Sequence, residues 1–193
     1  MTIFNEERLT NDVFKIDVNR MRKGWYSDKY FENIGLMLSA LSEKKYMFKG
    51  RSLRLGDIDP SKTEIGNLEV EMQWFTRRSG KVVVAGIDKA LTMLRHCCGY
   101  FNGKGKFVNT WNKLDVEAVH DGATVNYNGD PKVIQPVIRV RGRYRDFALL
   151  ETPTLGLLTR SSRVATNVYE TLMAARGKPV LFFPARFDLH EVQ

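Results

Sequence analysis

The chain has 193 residues, of which 43% are apolar, and its 30 basic and 22 acidic residues give a formal net charge of +8. This composition is typical of a soluble globular protein, and no apolar run approaches the length of a membrane span. The first 15 residues are too polar for a signal peptide, and the adjacent Cys97 and Cys98 suit neither a disulfide framework nor a metal knuckle. We therefore expect a cytoplasmic protein with no membrane partner and no metal site. The positive charge favours anionic partners, which include nucleic acid and phosphorylated small molecules.

The amino-terminal region is predicted to be an extended arm up to Asn19, followed by a helix that begins near Tyr30. Apolar residues recur there at helical spacing, at Tyr30, Ile34, Met37, Leu38 and Leu41. Ser27 or Asp28 can cap the start of this helix. On composition alone, the aromatic residues of its first turn are simply buried.

Two strands and a helix are predicted next. Leu68 to Trp74 alternates apolar and polar residues, which indicates a strand with one buried face. Val82 to Ala85 is predicted to be a second strand that pairs back onto the first. Ile87 to about His96 has helical spacing. The glycine-lysine stretch 102–106 lacks the spacing of a phosphate-binding loop and is interpreted as a flexible basic loop.

The region 115–147 is predicted to be rich in strands, with Val133 to Val140 among them. Arginines then alternate at Arg139, Arg141, Arg143 and Arg145, so they share one face while the chain stays extended. One interpretation is a solvated strand face, which the usual exposure of charge favours. The other is a row of guanidinium groups that binds phosphates, with Arg141 and Arg143 as the candidate ligands.

The last part of the chain predicts a long helix and a buried strand. Thr152 and Pro153 suit a helix start, and Gly177 and Pro179 suit its end. Val180 to Phe183 is a continuous apolar run, as expected for a strand covered on both faces. Helix, short loop and buried strand is a typical beginning of an α/β barrel, in which chemistry lies at the carboxyl ends of the strands.

This stretch resembles the junction between domains in nicotinate phosphoribosyltransferases and, more distantly, in quinolinate phosphoribosyltransferases. There, a helix with an "E…LxxLxRxSxxAT" pattern leads into the first barrel strand, which ends in an arginine. The matching residues are Glu151, Leu155, Leu158, Arg160, Ser162, Ala165, Thr166, Phe183 and Arg186. Further matches are Met72, Gln73, Phe75, Gly86, Ala90, Asp121, Gly122, Val125, Gly142, Tyr144, Phe147 and Leu150. An Asp-x-Tyr-Phe element at Asp28, Tyr30 and Phe31 also fits, so the resemblance covers about residues 24–186.

The resemblance implies an α+β sandwich domain followed by the beginning of an α/β barrel. We place the sandwich at residues 1–147, and the first helix and strand of the incomplete barrel at residues 148–193. Because a barrel needs eight strand-helix units, we expect the chain to be a fragment or one piece of an enzyme that another chain completes.

The implied reaction joins nicotinate to 5-phosphoribosyl-1-pyrophosphate, giving nicotinate mononucleotide and pyrophosphate. Phe183 would stack on one face of the pyridine ring, and Tyr30 of a neighbouring subunit would stack on the other, with Asp28 orienting the groups around it. Arg186 would be the catalytic residue and would bind a carboxylate or a phosphate, and His190 is a further candidate for substrate binding. Mg²⁺ would accompany the pyrophosphate, and coupling to ATP is left open. The partner would be a second copy in a homodimer with a shared active site, or a second chain that completes the barrel.

Other interpretations stay open. Nicotinamide or quinolinate could replace nicotinate as the base. A basic nucleic-acid-binding module is an alternative that the resemblance disfavours, and its affinity would fall steeply with salt. A relative that kept the fold and lost the chemistry is a third hypothesis.

Overall fold

The computed structural model describes residues 8–50 and 59–183. These residues contain four α-helices, which are α1 (Val18–Arg22), α2 (Lys29–Glu43), α3 (Ile87–Cys97) and α4 (Glu151–Ala175). They also contain seven strands, which are β1 (Glu69–Phe75), β2 (Gly80–Val83), β3 (Gly99–Phe101), β4 (Phe107–Asn109), β5 (Asp115–Ala118), β6 (Thr124–Tyr127) and β7 (Pro136–Arg143). The described part is therefore a mixed α+β domain, as predicted.

The strands form one three-stranded sheet and two antiparallel pairs. The sheet has the order β1-β7-β5, with β7 antiparallel to both neighbours, while β2 pairs with β6 and β3 pairs with β4. The prediction that β2 pairs back onto β1 is therefore wrong. β1 and β7 both present one apolar face, and Met72 lies opposite Val140 in their register. On β2, the backbone amide of Val83 donates instead to a hydroxyl of α4.

The core lies between the apolar face of the sheet and α3. Trp74, Ile87, Leu94, Ile138 and Phe147 are each at most 3% exposed and belong to one apolar cluster. The first turn of α3 is capped from a distance, because the Asp121 carboxylate accepts from the amides of Ile87 (2.8 Å) and Asp88 (3.3 Å). This cap fixes the turn before β6 against the start of α3.

The amino-terminal arm is tied to α3 rather than free. The Arg8 guanidinium donates to Asp88 at 2.9 Å and to the carbonyl of Ala118 at 2.8 Å, and the Leu9 amide donates to Asp88 at 2.8 Å. The arm also contains a short 3-10 helix (Asn11–Val13) and α1, so it is less extended than predicted.

Helix α4 is packed along its first half and exposed along its second. Thr154, Leu158 and Thr166 are buried, whereas Leu172 and Met173 are 51% and 62% exposed. The helix ends at Ala175, and Arg176 and Gly177 follow with φ of +50° and +83°.

No strand forms at residues 180–183, although the apolar run predicted one. Leu181, Phe182 and Phe183 are 77–78% exposed. A strand needs neighbouring backbone for its hydrogen bonds, and the described residues place none beside this run. Of the helix and strand predicted for residues 148–193, the described residues contain only the helix, α4.

Candidate active site

The first turns of α2 and α4 meet, although they are far apart in the sequence. The backbone amide of Asp28, which precedes α2, donates to the Thr152 hydroxyl at 3.1 Å. This contact brings Asp28 and Tyr30, two of the predicted site residues, beside Glu151 at the start of α4. Sequence reasoning gave Glu151 and Thr152 no part in the site.

Two carboxyl groups and two phenols interact at this junction. Partial desolvation and then the Glu151 and Asp28 carboxylates raise the pKa of the Tyr30 phenol. Burial raises the pKa of Glu151, and the neighbouring Asp28 adds to this rise. Burial and then Glu151 raise the pKa of Tyr144. The junction therefore offers hydrogen-bond acceptors and phenol donors that influence one another.

Tyr30 projects from the junction with much of its ring in solvent. It is 54% exposed, whereas the adjacent Phe31 is 7% exposed, and their ring centroids are 4.2 Å apart at an interplanar angle of 41°. Phe31 anchors the first turn of α2 in the protein and leaves the Tyr30 ring outside it. An exposed flat ring on a fixed turn is suited to stacking on a planar ligand.

A cleft of about 820 Å³ lies between the β1–β2 segment and the first half of α4. Its lining includes Phe31, Trp74, Tyr144, Glu151 and Leu155, together with Arg163. Small-molecule sites commonly have this size, with an apolar lining and a few polar groups. Tyr144 and Glu151 belong both to the cleft and to the junction with Tyr30.

Phe183 comes eight residues after the end of α4, whereas Asp28 and Tyr30 lie beside the start of that helix. The 25 residues of α4 span about 37 Å at 1.5 Å per residue. Among the described residues, no ring contact joins Phe183 to Tyr30. One copy of the chain therefore does not bring these predicted residues together, and Arg186 and His190 lie outside the described residues.

The four alternating arginines do not form one row. Arg139 and Arg141 lie on the polar face of the sheet, where Arg141 contacts Asp115 at 2.7 Å and Glu117 at 3.4 Å and also pairs with Glu71. Strand β7 ends at Arg143, and Arg145 lies in a short 3-10 helix (Tyr144–Asp146). The backbone thus leaves the extended path on which the predicted row depended.

Both candidate phosphate ligands already have carboxylate partners. Arg141 faces three carboxylates, and Arg143 contacts Asp146 at 2.7 Å. A phosphate at Arg141 would have to compete with all three, so this role stays a prediction.

The part of the chain that the structure describes contains neither a metal-binding group nor a membrane-spanning helix. Within residues 8–50 and 59–183, no group of three or more His, Cys, Asp or Glu side chains could hold a metal ion. None of the helices in this part of the chain combines the length and the apolar content needed to cross a membrane.

The model of one protein family, the quinolinate phosphoribosyl transferase N-terminal domain, matches residues 57–162. The chain belongs to this family. The match runs from before β1 into the first half of α4, so it includes Tyr144, Glu151 and most of the cleft lining. The expected relation to pyridine phosphoribosyltransferases is confirmed at this level.

The fold of this quinolinate phosphoribosyltransferase-family chain is also similar to a solved structure. The crystal structure of nicotinate-nucleotide pyrophosphorylase from Pyrococcus furiosus matches with a TM-score of 0.58 at 18% sequence identity, over 93% of this chain and 36% of that chain. At this identity the likeness shows the fold alone. The chain spans about a third of the length of that enzyme.

Proposed function

We propose that this chain supplies the amino-terminal part of a phosphoribosyltransferase that joins nicotinate to 5-phosphoribosyl-1-pyrophosphate. The products would be nicotinate mononucleotide and pyrophosphate, in NAD synthesis. The observation that carries this proposal is the junction of α2 and α4, where Tyr30 projects beside Asp28 and Glu151 in a chain of this family. The preference for nicotinate over quinolinate or nicotinamide is part of the proposal.

In the proposed site, Tyr30 of one copy stacks on the pyridine ring and Phe183 of the other copy stacks on the opposite face. Asp28 and Glu151 both act electrostatically on the Tyr30 phenol, so they would hold its hydroxyl and set the angle of its ring. Arg186 would bind the carboxylate of the base or a phosphate, with His190 beside it.

The reaction needs little proton transfer from side chains, because its transition state resembles an oxocarbenium ion. It needs the base held flat, the leaving pyrophosphate neutralised and water excluded. Stacking on both ring faces would meet the first need and part of the third. The remaining groups would come from the barrel, provided by the same polypeptide or by a second chain.

Mg²⁺ would enter with the phosphoribosyl pyrophosphate, since Mg²⁺ is commonly held by substrate phosphates and one or two carboxylates. The described residues contain no cluster that could hold it alone. The carboxylates at the junction, Asp28 and Glu151, would be candidates to approach it. Coupling to ATP would depend on groups of the barrel.

The proposal is tested by turnover in a protein that contains the completed barrel. Tyr30→Ala is expected to lower turnover of nicotinate at least tenfold, because one stacking face is lost. Tyr26→Ala is the matched control, since Tyr26 is also an exposed tyrosine, at 45%, but contacts Asp17 instead. Equal turnover in the two variants would contradict the role of Tyr30. Absence of turnover in the unmodified protein with nicotinate, nicotinamide and quinolinate would favour a non-catalytic relative.

A mixing experiment tests whether the site is shared between copies. Tyr30→Ala and Arg186→Ala homodimers should each keep at most about a tenth of the activity. After mixing and exchange of subunits, half of the dimers are mixed and each has one intact site, so about a quarter of the full activity should return. If no activity returns although mixed dimers form, both residues act within one copy.

A further inference from the structure

Arg143 and Arg145 lie together on one side of the amino-terminal domain and share the ring of Tyr100. Their guanidinium carbons lie 5.3 Å and 5.0 Å from the centroid of that ring. Both also contact one buried carboxylate, that of Asp146, which is 2% exposed. Two positive charges thus share one aromatic ring and one carboxylate.

The Asp146 carboxylate accepts its hydrogen bonds from Arg143 rather than from Arg145. It donates to Asp146 through Nε at 3.1 Å and through Nη2 at 2.7 Å. The Nε of Arg145 is 3.8 Å from the same carboxylate, which is beyond hydrogen-bond distance. This nitrogen is buried and has no hydrogen-bond partner, and the Arg145 side chain is only 10% exposed. Arg145 is therefore a largely buried cation that reaches the shared carboxylate only at 3.8 Å and makes no hydrogen bond through its Nε.

On the sheet, by contrast, the charges of two arginines are balanced by nearby carboxylates. Arg139 and Arg141 share three carboxylates, those of Glu71, Glu117 and Asp115. Arg143 and Arg145 share one. Glu64 also acts electrostatically on Arg145, but its carboxylate accepts from Asn67 at 2.6 Å. Charges removed from water are unfavourable unless they are balanced, and two guanidinium groups that share the Asp146 carboxylate are balanced only in part.

We propose that Arg143, Arg145 and Tyr100 form a binding site for the phosphate group of a small molecule. The two side chains are 22% and 10% exposed, so part of the pair is reachable from solvent. Guanidinium groups bind phosphate with two parallel hydrogen bonds. A tetrahedral phosphate has oxygens pointing in several directions and can contact both groups at once, whereas a carboxylate has only two oxygens in one plane. The site requires neither the pyridine site nor the barrel, so it goes beyond the proposed function.

Isothermal titration calorimetry of the 193-residue chain with inorganic phosphate tests the site, with sodium chloride holding the ionic strength constant. We expect saturable binding of one phosphate per chain. Arg145→Gln should weaken the affinity at least tenfold, because it removes one of the two guanidinium groups that share a single carboxylate. Arg139→Gln is the matched control and should change the affinity less than twofold. Arg139 also has a buried Nε without a hydrogen bond, but its charge is balanced by Glu71 and Glu117.

Three results would overturn the proposal: no saturable binding to the unmodified chain, equal weakening by Arg139→Gln and Arg145→Gln, or equal affinity for phosphate and for sodium propionate. The circular dichroism spectrum of each variant shows whether it folds. If Arg145→Gln does not fold, Tyr100→Leu takes its place, because it removes the shared ring and keeps both charges. Tyr100→Leu should weaken phosphate binding at least threefold, and unchanged binding would contradict the site.

Discussion

Trp74 and Thr154 form the buried hydrogen bond that joins the sheet to α4. The indole Nε1 donates to the Thr154 hydroxyl at 3.1 Å, and the two residues are 3% and 0% exposed. Thr154→Val should lower the free energy of unfolding by about 1–3 kcal/mol, because the indole N–H then stays buried without an acceptor. Urea denaturation measures this change. In a Trp74→Phe background the same substitution should cost less, and an equal cost would show that the hydrogen bond is not the cause.

The two cysteines make stability sensitive to alkaline pH. Burial raises the pKa of Cys97 to about 11 and that of Cys98 to about 12, from the ordinary thiol value of 9.0. The folded chain holds both thiols protonated, whereas the unfolded chain releases their protons first. This contribution to stability is therefore complete below about pH 9. It is lost as the pH rises toward the pKa values of the thiols in the folded chain.

Urea denaturation at pH 8 and pH 10 checks this sign. We expect the free energy of unfolding to fall, by at most about 1.4 kcal/mol per pH unit for each thiol. A Cys97→Ser, Cys98→Ala double variant keeps all tyrosines and lysines and should show a shallower fall. An equal slope in both proteins would contradict the contribution of the thiols.

Among the elements, α4 closes the edge of β2 with its hydroxyl groups. The amide of Val83 donates to the Thr166 hydroxyl at 3.0 Å, and the amide of Ala85 donates to the Ser162 hydroxyl at 3.1 Å. A helix thus supplies acceptors that another strand would normally supply. This explains why β2 needs no second strand on that side.

Thr166→Val should remove one of these acceptors with little change in shape. The expected loss is about 1–3 kcal/mol in the free energy of unfolding, because the Val83 amide is left without a partner. Hydrogen exchange at the Val83 amide should accelerate as well. Thr171→Val is the control, since Thr171 is exposed and bonds only within its helix, to the Asn167 carbonyl. A loss within about 0.5 kcal/mol is expected there, as for surface substitutions generally. If the two variants lose equal stability, the contact with β2 is unimportant.

The helices and strands with a regular spacing of apolar residues were predictable from the sequence. Strand β1 and helices α2, α3 and α4 follow apolar spacing, and the structure has each of them within a few residues of the prediction. The pairing of β1 with β7 was not predictable, because the two strands are about 60 residues apart and their apolar faces suit several partners. The cap of α3 by Asp121 was missed for the same reason.

The candidate site was predictable only in part. Asp28 and Tyr30 were identified through the family resemblance, whereas their proximity to Glu151 depends on the contact between Asp28 and Thr152, which are 124 residues apart. The predicted row of four arginines does not form, because alternate side chains share one face only while the backbone is extended. The strand ends at Arg143, and a 3-10 helix turns Arg145 toward Tyr100.

At the scale of the whole molecule, several exposed apolar side chains follow the packed half of α4. Val168 and Leu172 are 52% and 51% exposed, and Leu181 and Phe182 are 77% and 78% exposed. Monomeric proteins rarely expose large groups of apolar side chains unless they form an interface. In the proposed enzyme, the rest of the barrel would cover them.

The chain by itself should therefore associate with itself through these side chains. Sedimentation velocity should show oligomers at micromolar concentration, and a Leu172→Glu, Phe182→Glu double variant should shift the chain toward monomer. Leu36→Glu is the control, because Leu36 is 62% exposed but lies on α2. A monomeric unmodified chain, or an equal effect of the control, would contradict this role of the side chains.

The length of α4 has a consequence for how the proposed enzyme would respond to dilution. Helix α4 spans about 37 Å between the turn beside Tyr30 and the residues that lead to Phe183, and the proposed site takes these two residues from different copies. Specific activity would then decline as the protein is diluted below the dissociation constant of its assembly. Covalent linkage of two copies would abolish that decline.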